Sequence, residues 1–174
     1  MKTKNLVLMS LLVGVGAALY LVIPGFNGGM KPDFMLTMMF IGILLFPKAS
    51  HVFLLALTTG VISGLFSTFP AGFIPNVVDK FITAFVFYAV VVILKQFTRK
   101  LPIATFIVAL GTLLSGVIFL SVALFGLGVE LPFGPTFMAG VLPAIAINSV
   151  AFFIIFPIVT QLVKRSKFDT AFSN

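Results

Sequence analysis

The chain contains no cysteine and no tryptophan in 174 residues, one histidine, and four acidic residues against eleven basic ones. Without cysteine there are no disulfides, no thiolate nucleophile and no cysteine-ligated metal, and the redox compartment leaves no mark. Charge of either sign is scarce: 9% of residues are charged and 60% are hydrophobic, with mean hydropathy +1.26. No soluble domain could hide that much apolar surface. The formal charge of +7 does not indicate a nucleic-acid partner, because the basic residues are scattered between apolar runs; their distribution reports topology instead. Motifs of reaction chemistry are missing as well. There is no phosphate-binding glycine loop with Lys-Ser/Thr, so the chain does not itself hydrolyse ATP. Nor is there a Ser-His or His-Glu-x-x-His arrangement, or a string of buried acids fit for a proton relay. A binding protein of the membrane remains, not an enzyme, with no cofactor or metal expected.

What is present is a succession of apolar runs. A bilayer-spanning helix needs about 20 apolar residues, so the length accommodates roughly six. The runs predict spans at 5–23, 34–46, 52–69, 81–94, 103–125 and 137–163, joined by short turns rich in proline and glycine. The expected fold is an all-α integral membrane protein with six transmembrane helices in one domain, residues 1–174. The first run lacks a small-x-small cleavage site before Pro24 and reads as an uncleaved span. With both termini cytoplasmic, nine of the eleven basic residues fall inside and only Lys31 and Lys80 outside, as the positive-inside rule requires.

The least lipid-like segment lies in the middle, Phe69-Pro-Ala-Gly-Phe-Ile-Pro-Asn-Val-Val-Asp-Lys80. Its two prolines and glycine argue against a continuous helix, which leaves either a polar connector outside the membrane or the wall of a binding cavity. Spans two and four have uninterrupted apolar parts of only 13 and 14 residues, roughly 20 Å against a hydrocarbon core of about 30 Å. Each must draw its polar start into the outer half of the bilayer, a pattern that points to a transporter binding site. Asp33 and Asp79 read either as caps of helices two and four or as ligands of a substrate cation. Lys31 and Lys80 are snorkelling residues or anion contacts. Three helices begin on that side, so three positive dipole ends favour a carboxylate there. Asn76 adds an amide nearby, and Asn148, mid-way along span six, is an interhelical hydrogen bond or a substrate contact. Of the 22 phenylalanines, Phe66, Phe69, Phe73, Phe133 and Phe137 stand close enough to this region to stack on a flat ligand. His51 reads as a solvated residue in a cytoplasmic turn. Ser10, Gly14 and Ala18 form a small-residue stripe on span one, suited to close packing within the bundle or to a partner subunit.

Taken together, Met1-Lys-Thr-Lys-Asn-Leu-Val-Leu-Met9, Gly29-Met-Lys-Pro-Asp33, Ile43-Leu-Leu-Phe-Pro47 and Thr68-Phe-Pro-Ala-Gly-Phe-Ile-Pro-Asn-Val-Val-Asp-Lys80 resemble the substrate-binding S components of energy-coupling-factor (ECF) transporters. More narrowly, they resemble the bacterial tryptophan transport proteins of that group. Ala71 departs from the resemblance, where a glycine is expected. The resemblance implies a six-helix bundle in the bacterial plasma membrane that captures L-tryptophan at its outer face. It also implies partners, a membrane-embedded T component and two cytoplasmic ATPases, and toppling in the bilayer to release the ligand inside. Ser10, Gly14 and Ala18 are similar to the alanine motif that docks S components onto the T component, with serine at the first position. The ligand set expected is Lys31, Asp33, Phe69, Phe73, Asn76, Asp79 and Asn148: acids for the ammonium, Lys31 and helix N-termini for the carboxylate, phenylalanines for the indole. In this light the missing tryptophan suits a protein made when tryptophan is scarce. The competing readings are a stand-alone ion-coupled carrier of an aromatic amino acid, an intramembrane enzyme, and a structural subunit with no ligand.

Overall fold

Long uninterrupted apolar runs with no water to satisfy their backbones leave helix as the available structure. A computed structural model describes residues 3–22, 32–166 and 170–171, and among them there is no strand. Six helices follow in order: α1 Thr3–Val22, α2 Phe34–Leu45, α3 Ala49–Leu65, α4 Phe73–Ile93, α5 Leu101–Gly126 and α6 Phe133–Arg165. The described residues form an all-α, multi-pass membrane protein. Helices α1, α4, α5 and α6 are each long and apolar enough to cross a bilayer. The last two contain a π turn, at Val122–Gly126 and at Phe137–Val141. The second lies just ahead of Pro143, where a helix must tolerate a missing N–H.

Helix α2 is the axis. Eleven of its twelve residues are buried, and it touches all five other helices. Its apolarity therefore faces protein on every side and not lipid. Phe40 stacks on Phe87 of α4 with ring centroids 4.1 Å apart, and Gly111 of α5 gives these rings room: a Cβ there would meet the Phe40 ring at 2.8 Å. The most extensive contact joins α3 to α4. Gly60 and Gly64, one turn apart, permit it, since a Cβ at either would stand 3.1 Å from a backbone Cα of α4, that of Val77 or Phe73.

Several expectations are corrected. Helix α4 begins at Phe73, eight residues before the expected start, and is a full-length span, so of spans two and four only α2 is short. Pro75 does not break it because it sits in the first turn, where its missing N–H has no helical acceptor to lose. Gly72, and not Asp79, is the N-cap. Asp33 does cap α2, its Oδ1 accepting from the Leu36 N–H at 3.0 Å. His51 lies within α3, buried, against Phe46 at a ring distance of 5.6 Å, and neither ring nitrogen has a hydrogen-bond partner among the described residues. It is not a solvated turn residue. The stripe of Ser10, Gly14 and Ala18 faces outward: all three are exposed, and a Cβ at Gly14 meets nothing within 4 Å. The buried face of α1 is a different one, through Leu8, Met9, Leu12 and Tyr20.

Candidate functional site

At the end of the bundle where α2 and α4 begin, a cavity of about 70 Å³ opens between α1, α2, α4, α5 and α6. Asp33, Phe69, Asn76, Asp79 and Asn148, expected from sequence, all line it. Phe73 does not; it is 45% exposed and packs beside Gly64. Lys31 lies outside the described residues.

The centre of the site is Lys80. It does not snorkel: it is 1% exposed, and its ammonium lies 2.5 Å from Asp33 Oδ2 and 2.7 Å from Asp79 Oδ2. Asp79 is wholly buried, and Ser115 Oγ of α5 donates to its Oδ2 at 2.8 Å while Thr83 Oγ1 donates to its Oδ1 at 2.9 Å. Two charges of one sign around one of the other, each taken out of water, persist only when their remaining hydrogen-bonding capacity is met. Asp79 meets that condition with three donors. Asp33 is less enclosed, with 17% of its side chain exposed, and is the carboxylate a ligand can reach. Lys80 carries three N–H donors and spends two on the acids, so one stays uncommitted among the described residues.

The polar side chains above this triad differ in how far they are already committed. Asn76 Nδ2 donates to Gly72 O at 2.7 Å, closing the first turn of α4. Asn148 of α6 is 0% exposed, and neither its Nδ2 nor its Oδ1 has a partner among the described residues. An amide left unpaired at that depth costs about 1–3 kcal/mol for each group. The apolar wall comes from Phe69, set edge-on to Phe119 of α5 at 5.1 Å. Phe133 and Phe137 pack against the cluster that contains Phe69 without lining the cavity. Similarly, α6 reaches the cavity from Val141 onward and not with its N-terminus.

Tyr20, Ser67, Thr112, Ser115 and Gly116 also line the site and were not expected. Those on α5 carried a readable signal, since 112, 115 and 116 share one helix face by their spacing. Tyr20 had none beyond being one of two tyrosines. The turn that brings Phe69 over the cavity runs through Ala71, whose φ of 52° is the left-handed conformation that explains why glycine is the residue expected there.

The model of a family described as tryptophan transporter TrpP matches residues 2–164. The chain belongs to the tryptophan transporter family. Similar to this member are curated proteins named "Probable tryptophan transport protein". That of Bacillus subtilis (strain 168) is 48% identical over 98% of this chain and 99% of its own length. The counterparts in Clostridium acetobutylicum and Clostridium perfringens are 38% and 30% identical, over 94% of this chain and 96% and 95% of theirs. No solved structure matches this tryptophan transporter. A transport function accounts for a polar cavity held among spanning helices, where water-soluble cargo must be met by buried polar groups.

Proposed function

We propose that this member of the family is the substrate-binding subunit of an ATP-driven ECF-type importer, a single transmembrane domain that captures L-tryptophan from outside. The observation that carries the ligand assignment is the pairing, in one cavity, of a charged triad with a buried amide whose hydrogen bonds are unmade. Asp33 takes the ammonium, being the acid within reach. Lys80, with its third N–H, takes the carboxylate together with Lys31. Asp79 holds Lys80 in place and does not itself touch the ligand. Phe69 and Phe119 flank the indole, and Asn148 Oδ1 accepts the indole N–H, recovering the cost of an unpaired buried group.

The partner assignment, a T component and two ATPases, is supported by the outward stripe Ser10, Gly14 and Ala18, all three exposed among the described residues. Small residues there admit close approach of a partner helix. Gly14→Leu is accordingly expected to leave tryptophan binding intact and to abolish uptake. Uptake that persists without the ATPases and collapses with the proton or sodium gradient would instead make the protein a stand-alone carrier.

The absence of tryptophan from the chain makes the ligand test direct. Purified protein in detergent is titrated with tryptophan and the ligand's own emission is followed, with a saturable blue shift expected. Asn148→Leu should weaken tryptophan by about 10- to 100-fold, the worth of one well-placed buried hydrogen bond, and leave 1-methyltryptophan, which has no N–H to donate, unchanged. Asp33→Asn should weaken both. Saturable binding with equal losses for both ligands in Asn148→Leu would remove Asn148 from the role, and no binding by folded wild-type protein would remove the tryptophan assignment.

A further inference from the structure

The opposite end of the bundle holds a second and larger cavity, of about 220 Å³, between the ends of α2 and α4. Its inner wall is apolar, with Leu44 and Val91 buried and Tyr88 half-buried. Its mouth carries Lys95 and Arg99, in the turn that follows α4. Both are exposed, and neither forms an ion pair or hydrogen bond with its side chain among the described residues, although each stands beside enclosed apolar space. Ala171 closes one side, its N–H donating to Leu45 O at 3.0 Å. By the charge asymmetry of the chain this end faces the cytoplasm.

From this arrangement we infer a binding site for an anionic phospholipid: Lys95 and Arg99 hold the phosphodiester, and an acyl chain enters past Val91 and Leu44. Two cations at the height of the cytoplasmic headgroups match the leaflet in which anionic lipids meet basic residues. Guanidinium and ammonium are the two side-chain cations suited to phosphate. The apolar depth distinguishes a lipid from a free anion, for which a charged mouth alone would serve. Next to the cavity, Val92 and Ile93 are 49% and 79% exposed, so the wall continues into the surface that faces the acyl chains. The site is separate from the tryptophan cavity, shares no lining residue with it, and does not depend on the identity of the cargo.

The test uses the full chain, delipidated in detergent, with its tyrosine fluorescence as the reporter. The chain has two tyrosines and no tryptophan, so in a Tyr20→Phe background Tyr88, on the cavity wall, is the sole fluorophore. Phosphatidylglycerol brominated along its acyl chain should quench Tyr88 at concentrations about 30-fold lower than brominated phosphatidylcholine, since each of the two cations contributes roughly a fivefold factor. Lys95→Gln/Arg99→Gln, two exposed changes, should bring the two lipids to parity, whereas Lys164→Gln/Arg165→Gln at the end of α6 should not. Thermal shift with the unbrominated lipids provides a second readout on the same variants. Equal quenching by both lipids in wild-type protein, or a preference that survives the Lys95/Arg99 change, would overturn the site. Inorganic phosphate displacing the brominated lipid at millimolar concentration would show a soluble-anion site in place of a lipid one.

Discussion

Lys80→Met is the sharpest probe of the outer site, because it keeps the length of the side chain and removes little beyond the ammonium. Two ion pairs are lost together, those to Asp33 and Asp79. Asp79 is then left wholly buried, with only the hydroxyls of Thr83 and Ser115 to solvate it. Breaking a buried pair in this one-sided way costs about 3–5 kcal/mol, most of it the stranded charge and not the missing attraction. For a chain of this size a kilocalorie corresponds to roughly 2–4 °C, so the ligand-free protein should melt roughly 6–20 °C lower. The assay is loss of helical circular dichroism on heating in detergent. A second substitution separates the causes: Lys80→Met/Asp79→Asn deletes the stranded charge and should regain at least about half of the loss. Lys80→Met/Asp33→Asn should regain less, because Asp33 already reaches solvent. A single variant melting within about 3 °C of wild type, or a double variant whose losses simply add, would refute the view that Asp79 depends on Lys80.

Further outcomes follow from the backbone and from close packing. Ala71→Gly should raise stability by about 1 kcal/mol, read as a higher melting temperature, since it releases a left-handed alanine. Gly64→Ala should cost about 1–3 kcal/mol, because its Cβ would press on the backbone of Phe73 at 3.0–3.1 Å. Gly14→Ala, meeting nothing, should stay within about 0.5 kcal/mol of wild type in the same melt.

The sequence carried the number and order of the spans, because long apolar runs in a chain this poor in charge admit no other structure. It also carried Asp33 as a cap, an arrangement local in sequence. It left Asp79 open between cap and ligand, and Lys80 between snorkelling residue and anion contact, for a specific reason: a proline such as Pro75 breaks a helix interior but is harmless in a first turn, and the choice between these depends on where the helix starts. Moving that start back by two turns places both charges within the helix, inside the bundle, and rules out Asp79 as its cap. Asn148 stood out by its depth in a span, with two readings open, an interhelical hydrogen bond or a substrate contact; among the described residues it has no interhelical partner. Phe69 and Phe73, four residues apart, could not be told apart from composition, because the left-handed turn at Ala71 between them aims one inward and the other out. Tyr20 and Ser115 reach the site only through contacts distant along the chain, the kind that a single sequence does not encode legibly.

Helix α2 never meets lipid, so the thickness of the bilayer places no demand on its length. Its twelve residues rise about 18 Å, some 12 Å less than the hydrocarbon layer around it, or roughly two helical turns. The neighbouring helices α1, α4, α5 and α6 are long enough to go the full distance, and the bundle therefore has a recess where its central post stops short. The floor of that recess is the N-terminus of the post, capped by Asp33, and its depth is a count of omitted residues. Lengthening α2 by two turns would fill it as surely as any bulky side chain, which makes the length of one helix the dimension that decides how large a cargo the protein can admit.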